Sequence, residues 1–128
     1  ADPLSRRMSV VARARALVDV PFRLHGRSES GLDCVGLVAL ALGRNAPDAY
    51  GLRSGDAGRA EGWLRAAGLV PVAGGAPGDV ALVRPGPLQL HLMICVPGGF
   101  VHAHAGLRRV VEMPGPSPWP VMGWWALI

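Results

Sequence analysis

The chain changes its hydrophobic period once, and that change limits the folds open to it. From Ser5 to Val18 the apolar residues Met8, Val11, Ala14, Leu17 and Val18 recur at helical spacing, with arginines on the other faces. Asp56 to Ala67 repeats the pattern through Ala57, Ala60, Trp63, Leu64 and Ala67, and Gly68 stops it. Leu69 to Val72 is a short extended piece. After the turn Gly74-Gly75-Ala76-Pro77-Gly78 the pattern becomes extended, in five short runs: Asp79 to Val83, Leu90 to Val96, Phe100 to Ala105, Arg109 to Met113 and Trp124 to Ile128. Gly- and Pro-rich turns at 85–87, 97–99, 106–108 and 114–120 separate them, and short turns between successive strands imply an antiparallel meander. Helices first and strands second predict an α+β fold, with N-terminal helices packed on a five-stranded antiparallel sheet.

A third helix lies between these regions. Asp33 can cap it and Gly43 can end it, around the run Leu37-Val38-Ala39-Leu40-Ala41-Leu42. Cys34 then falls in the first turn, where unpaired N–H groups and the positive end of the helix favour thiolate over thiol. The competing reading is an inert buried cysteine. Cys95, inside the apolar run Leu92-Met93-Ile94-Cys95-Val96, reads as a buried strand residue, and two cysteines in so large a domain do not make a disulfide framework.

The 128 residues suit a single domain, 1–128, without internal repeat or linker. Ala1-Asp2-Pro3 reads as an expression remnant, and no charged-then-apolar leader opens the chain. Half the residues are hydrophobic, but no run approaches the ~18 apolar residues of a membrane span, which argues against stable membrane insertion. All 13 cationic side chains are arginine, and the formal net charge is +4. The arginines are scattered, with no basic run or aromatic-studded basic strand. Nucleic acid is therefore not the expected partner; an anionic wall polymer is.

Four histidines complete the candidate chemistry: His25, His91, His102 and His104. The tight turn at Pro97-Gly98-Gly99 pairs the strands of His91 and His102. A hairpin symmetric about Gly98 sets residue 94 opposite 102 and His91 near 105, so contact between His91 and His102 needs a bulge or register shift. A cysteine at a helix start, a histidine on a strand and an orienting polar residue on the next form the plan of a thiol hydrolase. In it His91 takes the Cys34 proton and His102 holds the His91 ring. His104 shares a face with His102, and is either the orienting residue itself or a rim residue meeting substrate. Each histidine has an alternative as a half-buried strand residue. Cys34, His91, His102 and His104 could also ligate zinc, although no close Cys or His pair anchors such a site. No metal or other cofactor is the preferred reading.

Several blocks resemble one family. Pro21-Phe22-Arg23, Gly31-Leu32-Asp33-Cys34-Val35-Gly36-Leu37-Val38, Gly78-Asp79-Val80-Ala81-Leu82-Val83, His91 and Phe100-Val101-His102-Ala103 look like the NlpC-type cell-wall cysteine peptidases of the NlpC/p-sixty superfamily. The resemblance runs from about Val20 to Trp125. It implies a papain-like α+β core and hydrolysis of peptidoglycan stem peptides, at a γ-D-glutamyl–diamino acid bond, through a thioester. Cys34 would be nucleophile, His91 base and His102 the orienting residue. Related readings are a thiol amidase or acyltransferase, and a binding or tail-hub protein that keeps the fold with little activity. Small members also resemble tail-associated peptidases of phages and gene transfer particles. On that reading the partners are a stem peptide and phage-like tail proteins, with the isolated chain a monomer. The place of action is the periplasm or wall, reached by secretion or on a particle.

Three positions depart from the family pattern. Phe22 stands where the family often has Tyr, removing a hydroxyl thought to help hold the oxyanion. Val35 replaces the Ser that, with the preceding Asp33, helps bind a free stem amine in some members. His25 replaces a common Gly and would narrow or re-polarise the cleft. Phe22, His25, Asp33 and His104 are thus the expected substrate-binding residues.

Overall fold

The computed structural model describes residues 2–45 and 56–127, so the loop expected from Asn45 to Ser54, with Tyr50, lies almost wholly outside the described residues. The first helix, α1 (Pro3–Ala16), begins two residues earlier than its apolar spacing predicts. Asp2 accepts a hydrogen bond from the Ser5 N–H, and Pro3 occupies the first turn, where its missing N–H costs nothing. Val10, Val11 and Ala14 form its buried face.

The Gly-, Ser- and Arg-rich stretch 21–32, whose composition reads as a loop, contains a small antiparallel ladder of β1 (Arg27–Ser28) and β2 (Gly31–Leu32). It leads straight into α2 (Cys34–Leu42), which is capped by Asp33 and ended by Gly43 in the left-handed conformation. Nearly every α2 residue is buried, so it is a core helix rather than an amphipathic one. The third helix, α3 (Ala57–Ala66), has Asp56 as its cap and buries Ala60 and Leu64.

Five strands were expected in the main sheet and, among the described residues, six are present: β3 (Leu69–Val72), β4 (Val80–Gly86), β5 (Gln89–Val96), β6 (Gly99–His104), β7 (Arg109–Pro114) and β8 (Val121–Leu127). The sixth is the short piece at Leu69–Val72, which pairs with β8. All pairings are antiparallel, in the order β3-β8-β4-β5-β6-β7. Only β4 to β7 form a meander. Strand β8 returns across the sheet to the free edge of β4, and β3 covers the edge of β8. Unpaired backbone on an edge strand is a liability, and even a four-residue strand relieves it.

The helices cover one face of the sheet. There Val10, Leu37, Leu64, Leu92, Ile94 and Trp125 belong to the main apolar cluster. The other face carries a smaller cluster of Ala81, Val83, Met93, Cys95 and Phe100, with Trp119 and Trp124 packed on it. The Arg7 guanidinium binds the buried carboxylate of Asp79 and the Pro77 carbonyl, tying α1 to the start of β4. Among the described residues no helix is long and apolar enough to cross a membrane.

One close approach sets where the Cys34 helix sits. A Cβ on Gly36 would overlap the carbonyl oxygen of Gly26, so the preceding loop lies directly on the first turn of α2. Alanine is worth up to about 1 kcal/mol over glycine inside a helix. Displacing backbone from a packed contact costs about 1–3 kcal/mol. Gly36→Ala should therefore be less stable than the parent by roughly 1–2 kcal/mol in urea unfolding. A variant as stable as the parent would show that the loop is not seated on the helix.

Candidate active site

The site begins with Asp33, only 3% exposed. Its Oδ1 accepts hydrogen bonds from the Gly36 N–H, capping α2, and from Arg27 Nη1, both at 2.9 Å. Its Oδ2 accepts the His25 backbone N–H at 2.8 Å. These donors commit the carboxylate to holding the loop and helix together. The contact with His25 also pins that residue at φ 62, an uncommon conformation for a side chain with a Cβ.

Cys34 is the first residue of α2, as the cap pattern predicts. Its expected thiolate character is corrected by the structure. The side chain is buried, and burial pushes the thiol up from 9.0 to about 12, against the weaker pull of the Leu92 N–H beside it. Charge favoured at a helix N-terminus is outweighed by the loss of water.

The two central histidines come from adjacent strands. Strands β5 and β6 pair as Ile94↔Val101, Cys95↔Phe100 and Val96↔Gly99, one residue away from the symmetric register expected about Gly98. Continued, this register sets His91 opposite His104, with His102 the diagonal neighbour on the same face. No bulge between them is needed. His91 Nε2 and His102 Nδ1 lie 2.9 Å apart, their rings nearly perpendicular. His102 is 1% exposed, and its Nε2 has no hydrogen-bond partner among the described residues. His104 sits at the rim, its Nδ1 accepting the Leu107 N–H at 3.0 Å. Of the two residues left open for the third position, His102 is the one in contact with His91.

Burial, with the neighbouring His102 and His104 imidazoles, pulls His91 down to about 3; burial and His104 pull His102 down to about 4. Both rings are neutral at pH 7. The tautomers follow if His91 is to receive a proton: its Nδ1 must be bare, so its Nε2–H donates to His102 Nδ1, and His102 carries its own proton on the orphaned Nε2.

Cys34, His91 and His102 line one cleft of about 500 Å³, within the range of small-molecule and peptide sites. The expected substrate contacts Phe22, His25, Asp33 and His104 border the same cleft. Its wall also includes Gln89, which the sequence did not mark, and Trp119, which with Trp124 and Trp125 reads from the sequence as a cap on the core, with a cleft wall as the alternative. Gln89 is two residues before His91 on β5, and alternation along the strand could have identified it. Trp119 is an aromatic residue stranded between Pro118 and Pro120, in a segment with no periodicity to place it. Zinc ligation, the alternative use of Cys34, His91, His102 and His104, finds no support in the geometry. The two central rings face each other through their nitrogens, and among the described residues no group of three His, Cys, Asp or Glu is arranged to hold a metal ion.

No protein-family profile matches the chain, and no curated protein matches it. Solved structures do. NlpC1 of Trichomonas vaginalis superposes with a TM-score of 0.69 at 19% identity, over 95% of this chain and 45% of that one. The P60 domain of an antigen from M. avium subspecies paratuberculosis gives 0.65 at 21%, over 98% and 96%. The peptidoglycan hydrolase RipB of Mycobacterium tuberculosis gives 0.65 at 24%, over 96% and 64%. This chain thus spans about half the length of the Trichomonas protein and nearly all of the P60 domain. At these identities the likeness establishes the fold, which is that of the NlpC/P60 domains. These likenesses give no support to the expected association with phage or gene-transfer-particle tails.

The depressed histidines give a pH dependence with a definite sign. An unfolded histidine titrates near 6.5, while folded His91 and His102 resist protonation down to about 3 and 4. The unfolded chain therefore binds protons first as the pH falls. Stability is full above pH 6.5 and should decline from there toward pH 4. Urea midpoints across that window test this. His102→Asn should flatten the slope, and an equal slope in the variant would remove the buried histidines as its cause.

Proposed function

We propose that this chain is a thiol hydrolase of peptidoglycan stem peptides, with Cys34 as nucleophile, His91 as general base and His102 as the residue that orients it. The observation that carries this reading is the His91 Nε2–His102 Nδ1 contact in the cleft that also contains Cys34. That contact leaves His91 Nδ1 as the base. The shared fold with RipB, a peptidoglycan hydrolase, supports the substrate class, as does the net charge of +4 against an anionic wall polymer.

With a raised thiol and a depressed imidazole, the resting pair is neutral Cys34 and neutral His91. Proton transfer then accompanies attack rather than preceding it. The Cys34 proton passes to His91 Nδ1 as Sγ bonds to the scissile carbonyl carbon, and the carbonyl oxygen takes the negative charge. The first turn of α2 offers the Cys34 N–H to that oxygen. Phe22 offers it no hydroxyl. Collapse breaks the C–N bond, and the imidazolium returns its proton to the leaving amine. Water then attacks the thioester with His91 again as base, releasing the carboxylic acid and restoring the thiol. The bond we assign is γ-D-glutamyl–diamino acid. Asp33 is held by three donors and Val35 has no polar group, which favours internal stem peptides over those presenting a free amine.

A second reading is a binding protein that keeps the fold with little activity; Phe22 is the feature in its favour. Digestion of purified peptidoglycan, with fragments identified by mass spectrometry, separates the two. The parent chain should release new stem-peptide fragments and Cys34→Ala none. No fragments from either protein would favour the binding reading, and equal fragments from both would remove Cys34 as nucleophile.

A further inference from the structure

The 114–120 segment has no role in the chemistry above, yet it delivers Trp119 to the histidine pair. The segment crosses from β7 to β8 and folds back on the face of the sheet opposite the helices, where Trp119 packs half-buried against the second apolar cluster. A clip holds it there: the Ser117 hydroxyl donates to the Trp119 carbonyl at 2.8 Å and accepts the Trp119 N–H at 3.1 Å. The indole meets both histidines at once. Its centroid is 5.9 Å from that of His91, with ring planes at 89°, and 5.8 Å from that of His102, at 82°.

We propose that Trp119 is a positioning residue for the His91–His102 pair, holding both rings nearly perpendicular to the indole plane and stabilising the positive charge that His91 acquires from Cys34. This rests on the reading of Cys34 and His91 as nucleophile and base. Three observations support it. An aromatic ring within ~6 Å stabilises a cation, more so where water is excluded. Besides the hydrogen bond that its Nε2–H gives to His102, the cleft offers that charge little compensation, since its one carboxylate among the described residues, Asp33, is already paired with Arg27. Finally, the buried His102 Nε2 has no hydrogen-bond partner among the described residues, so ring packing, from Trp119 and from His104, holds that end of the pair.

The test is alkylation of Cys34 by iodoacetamide at pH 7, which transfers a carboxamidomethyl group to Sγ with loss of iodide. Parent, Trp119→Leu, Trp119→Phe and His91→Ala are compared, with site-resolved mass spectrometry following Cys95 as internal control. Cys95 packs in the same cluster as Trp119, so its labelling reports any loosening of that face. We expect Trp119→Leu to slow Cys34 labelling about fivefold, the scale of a partly desolvated cation–aromatic contact. Trp119→Phe should recover most of the rate, and Cys95 should be unchanged in both. Equal Cys34 rates in parent and Trp119→Leu overturn the proposal. So do a Phe variant as slow as the Leu variant, or a matching rise in Cys95 labelling, since each reduces Trp119 to packing. His91→Ala separates this from the underlying reading: if it too leaves Cys34 labelling unchanged, His91 is not the base and the failure lies there.

Discussion

The geometry of the site depends on a buried carboxylate. Asp33 lies in the core interface between the 21–32 loop and α2, where an ionised carboxyl without partners would cost several kcal/mol. Arg27, the Gly36 N–H and the His25 N–H offset that cost with charge-assisted hydrogen bonds. Because each donor comes from a different part of the chain, satisfying Asp33 also fixes the start of α2, the small β1–β2 ladder and the backbone of His25. Cys34 follows Asp33 in sequence and has no independent freedom. The close seat of Gly26 on Gly36 serves the same end by packing instead of charge.

From that anchor, competition between burial and dipole decides the state of the thiol. The N-terminus of a helix is worth about 0.3–1 kcal/mol to a nearby anion, and up to ~2 kcal/mol in partly buried settings. A rise from 9.0 to about 12 corresponds to roughly 4 kcal/mol against the anion. Burial wins, and the same loss of water keeps His91 and His102 neutral. At rest the cleft holds a buried thiol and two neutral imidazoles, with His91 hydrogen-bonded to His102.

The sheet brings in the remaining parts. A two-residue turn at Pro97 and Gly98 sets the β5–β6 register, and its parity places His91, His102 and His104 on one face. Strand β8 must cross back to reach β4, and the connection that carries it lays Trp119 over those rings. The three C-terminal tryptophans thereby divide. Trp125 is buried in the main core, Trp124 stacks on Phe100 in the smaller cluster, and Trp119 walls the cleft.

Local patterns in the sequence determined much of this. The helices read over 5–18, 34–42 and 56–67, the Asp33 cap, the α+β order and the four meander strands follow from period and turn chemistry, which act over a few residues. The candidate residues Cys34, His91 and His102 were marked by type and spacing alone. Tertiary structure decided what distant residues contribute. Leu69–Val72 is a strand only because β8 has an edge to cover. Asp33 is saturated only because Arg27 and His25 fold onto it. Cys34 is a neutral thiol because packing removed its water. Trp119 carried no periodic signal, since a proline-flanked aromatic is placed by the surface it lands on. Local hydrogen bonding is written in neighbouring residues, whereas desolvation and register are properties of the assembled sheet and helices.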